Sequence, residues 1–272
     1  IVEVPEGMPL SGGANRARQA RRLLQKVMDY VPEGTVIHPL VRIGRHASEG
    51  IIEAAAEQEA DLIIFGWGGK AAPGRDGGSP VISATIDEAV RDAPCDIAVV
   101  KQRGAREIRR ILVPVRGGPH AELALRFADA LAHRHGARVA VLHLVPAGVT
   151  EAVRAQAEHA LAQFIRQHVT AEAEPLLREA QNVRTAILRE ADKSDLVVMG
   201  ASAPPGEHGA SLFGALPESI AQRAKATVII VKTHEPIGRQ TFEQLAQRAE
   251  TLAAADRAAE ESRAIPTRVD RW

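Results

Sequence analysis

Apolar and polar positions fall in blocks along this chain. Short runs of Val, Ile and Leu are separated by longer stretches in which apolar residues recur every three or four positions. The first pattern suits strands covered on both faces, and the second suits amphipathic helices. The later half of the chain shows the alternation most clearly. "REIRRILVPV" predicts a strand, and "GGPHAELALRFADALAHRHG" a helix with Leu123, Leu125, Phe127, Ala128 and Leu131 on its apolar side. Gly136 stops that helix. "ARVAVLHLVP" predicts the next strand, followed by a long helix from about Glu151 to Gln167, with Val153, Ala157, Ala160, Leu161 and Phe164 on one face. A weaker third strand, interrupted by Glu, is expected near "VTAEAEPLL". Then come a helix in "VRTAILREADKS", a strand in "DLVVMG", a helix in "GALPESIAQRAK" and a last strand in "TVIIVK".

Much of this pattern is written twice. "DLIIFGWGGK" from Asp61 matches "DLVVMGASAP" from Asp195, and "APCDIAVVK" ending at Lys101 matches "KATVIIVK" ending at Lys232. "IVEVPEG" matches "LHLVPAG", placing Pro5 against Pro146. The matched pieces keep their order, which points to duplication. Strands alternating with helices predict an α/β fold: two tandem doubly wound parallel five-stranded sheets, each with strand order 3-2-1-4-5. Ligands of such sheets bind beyond the carboxyl ends of the strands, where Gly66 and Gly200 fall. Nothing in the first copy matches residues 109–141, so that copy is expected to lack its first strand and helix. A sheet without its central strand exposes unpaired backbone. The chain therefore reads as a fragment of a protein that continues upstream. The expected domains are 1–104, 105–234 and a tail at 235–272, which reads as one linker helix up to Pro266, with Phe242, Leu245, Ala249, Leu252 and Ala259 at helical spacing.

Composition narrows the functional classes. The 272 residues are 45% apolar, carry a formal net charge of +0 and are only 3% aromatic. That balance supplies neither a field for nucleic acid nor stacking platforms for single strands. No apolar run reaches the roughly 18 residues of a spanning helix, so direct membrane insertion is not expected of this segment. Cys95, the single cysteine, excludes an internal disulfide and reads as a buried structural thiol. His133 and His135, two apart on a helix, cannot share a metal and suit the helix dipole. His120 and His208 stand near the strand-tip loops. Trp67 reads as a lid over the strand ends. Ser202 and Ser211 have no general base in their sequence context.

Taken together, the strand "ILVPV", the helix "HAELALRFADALA", "DLVVMG" with its glycine-containing loop, and "APC" before a last strand resemble the universal stress protein family in its tandem form. The resemblance spans about Ile1 to Lys232. It implies an adenine-nucleotide alpha-hydrolase-like fold, self-association through the last strands, and, in many members, bound ATP or AMP. The family's motif is a glycine, two residues, a glycine, nine residues, then glycine before Ser or Thr. Its glycines let backbone N–H groups and a helix N-terminus cradle phosphate. Both copies depart from it. Gly200 matches the first glycine, Ala203 replaces the second, Gly214 arrives one residue late, and Ala215 stands for the Ser or Thr. Gly206, Gly209 and Ser211 leave room for a reshaped cradle, whereas Pro204 and Pro205 remove donors. In the first copy Gly66 and Gly69 fit, but Ser83 and Ala84 fill the last positions of a longer loop. Relatives that hold ATP end the first strand with Asp; here Arg116 stands there. Arg offers only donors, so with Gly117, Gly118 and Gly200 it would suit an anion instead. Val145, ending the next strand, completes the candidate list.

"VPVRGGPHAELAL" and "LFGALPESIA" also resemble the stress-protein domains fused to amino-acid permeases and other transporters. The resemblance implies a regulatory or sensory module on the cytoplasmic side of a larger protein, with degenerate nucleotide motifs. The alternatives are an ATP- or AMP-binding stress protein with weak or no hydrolysis, and a ligand-free dimerisation module.

Overall fold

The computed structural model describes residues 1–67, 84–104, 107–202 and 212–234. The chain divides into two compact units, 1–100 and 101–272.

The second unit is built on five strands: β5 (Arg110–Pro114), β6 (Arg138–Pro146), β7 (Ala173–Ala180), β8 (Leu196–Gly200) and β9 (Thr227–Lys232). They lie in the order β9-β8-β5-β6-β7, every neighbouring pair parallel. Counted within the unit, that is the order 3-2-1-4-5. The apolar runs explain the arrangement. Ile111, Leu112, Val113, Val139, Ala140, Val141, Val197, Val198, Ile230 and Val231 are fully buried. A strand hidden on both faces needs a crossover helix on each face, which parallel pairing supplies. Each such Ile, Leu or Val withdrawn from water contributes roughly 1.5–3 kcal/mol.

The helices are α4 (Pro119–His135), α5 (Glu151–His168), α6 (Val183–Ala191) and α7 (Ala215–Arg223). Their ends are set by local chemistry. α4 starts with proline after Gly118 and stops at Gly136, whose φ of +64° is left-handed. Thr150 caps α5 by accepting from Val153 N–H, and Asn182 caps α6 by accepting from Thr185 N–H. Asp129 of α4 ties down the approach to β7. Its carboxylate accepts from the N–H groups of Thr170 and Ala171 and from the Thr170 hydroxyl, at 2.8, 2.8 and 2.9 Å. His133 completes this cluster with a 2.8 Å bond between Nε2 and Thr170 Oγ1, so it supports packing as well as the helix end.

The first unit holds shorter strands: β1 (Val2–Glu3), β2 (Ile43–Gly44), β3 (Leu62–Gly66) and β4 (Asp96–Lys101, its last residue just past the unit boundary). Its helices are α1 (Ala14–Met28), α2 (Ala47–Glu57) and α3 (Ala84–Asp92). β1 pairs with β2 and β3 with β4, both parallel. Among the described residues no strand joins β1 to β3, whereas β5 joins their counterparts β6 and β8. The first unit is thus two separate strand pairs, not the one doubly wound sheet that duplication alone implies. Ser48 of α2 donates to Glu88 of α3 at 2.6 Å. Cys95 is buried, and that burial, then the charges of Asp96 and Asp61, push its thiol pKa up. The predicted tail helix lies outside the described residues.

Candidate functional site

Strand order in the second unit reverses between β5 and β8, and the crevice beyond their carboxyl ends is where a ligand is expected. Val115, just past β5, is buried and donates its N–H to Leu142 O at 2.8 Å. Arg116 follows and is exposed. Gly117 and Gly118 then turn the chain with φ of +85° and +86°, a region that strongly favours glycine. The carbonyl of Gly118 accepts from Ala121 and Glu122 N–H, both at 3.1 Å, which opens α4.

Gly200 ends β8 directly against that first turn. A Cβ at Gly200 would stand 2.6 Å from His120 O and 2.7 Å from its carbonyl carbon, closer than real contacts allow. The structure therefore sets Gly200 against the first turn of α4, just after Arg116, Gly117 and Gly118 in the chain. His120 also reaches the end of β9, where its Nδ1 accepts from Thr233 N–H at 3.1 Å. Val145 is buried near the end of β6.

The start of α7 follows the loop that leaves β8. Ser202 is exposed and donates its N–H to Phe213 O at 2.7 Å. Gly214 is buried with a φ of +93° and precedes exposed Ala215, the first residue of α7. Glu218 in that first turn accepts from Phe213 N–H at 3.4 Å. A carboxylate thus occupies the positive end of the helix, where its own charge is stabilised and a second anion is disfavoured. Gly206, Gly209 and Ser211 lie outside the described residues.

Sequence reading missed His143. It is a buried side chain on β6, and its Nδ1 lies 3.0 Å from Val115 O. A carbonyl only accepts, so this ring nitrogen carries the proton and fastens the residue ahead of Arg116. A histidine inside "VAVLHLV" was the available signal. Glu179, at the tip of β7, was missed as well. It accepts from Gly148 N–H at 3.1 Å and pairs with Arg154, fixing the loop after β6. The Gly148 N–H first, then Arg154, hold its pKa below the usual carboxylate range.

In the first unit Gly66 is exposed, and a Cβ there would meet nothing within 4 Å. Trp67 is half-buried and donates its N–H to Val100 O at 2.8 Å. Gly69 and Ser83 lie outside the described residues. A charged cleft at the opposite, amino-end edge of the second unit is committed internally. There Asp195 accepts from Arg109 and Arg110 N–H, Lys225 pairs with Asp192 at 3.3 Å, and Arg103 donates to Gln222 O. Among the described residues no cluster of His, Cys, Asp or Glu could hold a metal ion. No described helix is long and apolar enough to cross a membrane.

The sequence model of the universal stress protein family matches residues 4–101 and again 107–232. The Na(+)/H(+) antiporter NhaS5 of Synechocystis sp. is 32% identical over 149 residues, covering 54% of this chain and 21% of that protein. The chain thus spans about a fifth of that relative's length. A universal stress protein from Archaeoglobus fulgidus superposes with a TM-score of 0.57 at 18% identity, covering 86% of this chain and 84% of that one. A Pseudomonas aeruginosa protein described under the same family name gives 0.58 at 19% identity, covering 89% and 84%. These two likenesses carry the fold.

Proposed function

Because the chain belongs to the universal stress protein family, with two copies in tandem, we propose that it is a regulatory or sensory module of a transporter, held on the cytoplasmic side. Its second unit keeps the strand-tip crevice of a nucleotide site but has lost the groups that would hold a polyphosphate. The observation that carries this reading is Glu218, whose carboxylate sits at the start of α7 and accepts from Phe213 N–H. The family's motif offers donors and a hydroxyl at that helix start, and here Ala215 brings no hydroxyl. An exposed Arg116 replaces the carboxylate that would accept from a ribose. The similarity to an Na(+)/H(+) antiporter supports a transporter as the parent polypeptide.

Equilibrium dialysis with ATP and AMP tests the site. ATP retention is expected to be weaker than millimolar, without hydrolysis; micromolar binding with turnover refutes the reading. Fractionation of the native polypeptide tests the parent. An antibody to the second unit is expected to find it in membranes at a mass well above 29.1 kDa.

A second reading, an ATP- or AMP-binding stress protein with weak or no hydrolysis, draws on the meeting of Gly117, Gly118 and Gly200 at the start of α4. It requires Arg116 to hold phosphate, so Arg116→Ala would have to weaken nucleotide binding at least tenfold. Self-association through the last strands is compatible with either reading.

A further inference from the structure

We propose that helix α1 of the first unit is a docking surface for an anionic lipid bilayer, on which it lies without crossing it. The residues of α1, Ala14–Met28, include Arg16, Arg18, Arg21, Arg22 and Lys26 and no carboxylate. Every other described α-helix carries at least one Asp or Glu. Asp29 and Glu33 follow the helix, which still leaves residues 14–33 with a surplus of three cations. The formal net charge of +0 for the whole chain thus conceals a local cationic surface.

These cations are not committed to carboxylates. Arg16 donates to the Glu3 carbonyl and Arg18 to the Asn15 side chain, both neutral acceptors. Among the described residues none of the five forms an ion pair, whereas Arg42, Arg91, Arg110 and Arg154 elsewhere all face carboxylates. The repeated helix α5 lacks such a surface. Glu151 and Glu158 interrupt its cations, and Arg154 pairs with Glu179.

The apolar residues of α1 divide into two rows. Ala17 is buried, and Ala20, Leu24 and Met28 are half-buried, so this stripe at helical spacing packs on the unit. Leu23 and Val27 lie outside it, one turn apart, and are 59% and 57% exposed. Arg22 and Lys26 are also one turn apart and exposed, so a cationic row runs beside an apolar one. Tyr30, just past the helix, is 87% exposed. That combination fits a bilayer surface: the apolar row enters the headgroup boundary, the cations meet lipid phosphates, and tyrosine suits the interface. Nucleic acid would use the cations and gain little from Leu23 and Val27. No described helix is long and apolar enough to cross a membrane, so α1 would rest on one. The inference concerns the first unit alone and is independent of what the second unit's crevice holds.

The test floats the 272-residue chain with vesicles of phosphatidylcholine, alone or mixed with phosphatidylserine. At about 0.1 M salt, at least tenfold more chain is expected on the anionic vesicles, with release at about 1 M, where screening is strong. Arg22→Gln with Lys26→Gln is expected to weaken binding about twentyfold, from about fivefold per cation near an anionic surface. Leu23→Gln with Val27→Gln is expected to weaken it about tenfold or more, with a melting temperature unchanged because both side chains are exposed. Equal recovery on the two kinds of vesicle, or none on either, overturns the proposal. Unchanged binding in the Leu23→Gln, Val27→Gln chain overturns it too, and tighter retention on duplex DNA would assign the surface to nucleic acid instead. A parent dimer that this pair of changes splits would assign the face to a second copy and likewise sink the idea. Should the pair lower the melting temperature, Lys26→Glu decides alone: about twentyfold weaker vesicle binding supports the proposal, and unchanged binding refutes it.

Discussion

The contact between Gly200 and His120 holds the candidate crevice together, and Gly200→Ala probes it. The φ of Gly200 is not left-handed, so any cost comes from space alone. A methyl would lie 2.6 Å from His120 O and 2.7 Å from its carbonyl carbon. Ordinary contact begins near 3.4 Å, so α4 and the tip of β8 must separate by several tenths of an ångström. Neither side yields easily. The first turn of α4 is pinned by the Gly118 carbonyl and by the bond from Thr233, and β8 is paired on both edges. Forcing an extra methyl into such packing costs about 1–3 kcal/mol, and backbone neighbours place this case at the upper end. Removing a glycine from the unfolded chain returns about 0.4–1 kcal/mol. The net loss is about 2 kcal/mol, which for a unit of this size lowers its melting temperature by roughly 5–8 °C. Calorimetry of the second-unit transition reads it directly. Gly66→Ala, the matched change in open space, is the control and is expected to stay within about 0.5 kcal/mol of the parent. The reasoning fails if Gly200→Ala is as harmless as Gly66→Ala.

Asp129→Asn should cost about 1–2 kcal/mol, read by urea unfolding at pH 7, because the charge that three donors share is lost. Burial alone would raise the Asp129 pKa, but the N–H groups of Ala171 and Thr170 and the Thr170 hydroxyl outweigh it and hold it below the usual range. A depressed folded pKa contributes stability above the unfolded value near 4 and loses it as pH falls through the folded one. The parent and Asp129→Asn should therefore converge in stability as pH falls through and below the depressed folded value; a gap that persists in acid would contradict this. Glu218→Gln is expected to strengthen ATP binding about threefold to tenfold by removing an anion at the start of α7, measured by titration calorimetry; unchanged or weaker binding would clear Glu218 of that role. Cys95 should react with a thiol reagent at pH 7.5 about a hundredfold more slowly than free cysteine, since burial raises its pKa and blocks access. Rapid labelling of the native protein would contradict that burial.

The second unit was legible almost residue by residue because its strands are unbroken apolar runs with strong caps. "ILVPV" lies at the sheet centre, and the helix predicted from Glu151 to Gln167 ends one residue later, at His168. β7 was harder to place, since Glu174 and Pro175 dilute its pattern, and it extends to Ala180. In the first unit the same motifs predicted the same elements, but "LIIF" cannot announce that one of its edges is uncovered. Exposure depends on a neighbour distant in sequence. The crevice was legible through glycine, whose backbone demands are written in the sequence. His143 and Glu179 were not, because their roles rest on a carbonyl and a backbone N–H brought near by sheet register.

The glycines themselves are a weaker sign of phosphate than the family motif suggests. Each described one in the second unit has a structural reason that needs no ligand. Gly117, Gly118 and Gly214 adopt left-handed φ, and Gly200 makes room for a helix turn. A unit that lost its ligand would therefore keep these glycines under selection for folding alone. More informative are the positions where the side chain itself differs from the family's motif: exposed Arg116, exposed Ala215, and Glu218 in the first turn of α7. All three differ from what a polyphosphate nucleoside requires, one by offering donors to a ribose that needs an acceptor, one by lacking a hydroxyl, one by adding a negative charge. On the proposed reading, these three residues carry the functional information of the site: a strand tip kept as architecture without the groups that hold a polyphosphate.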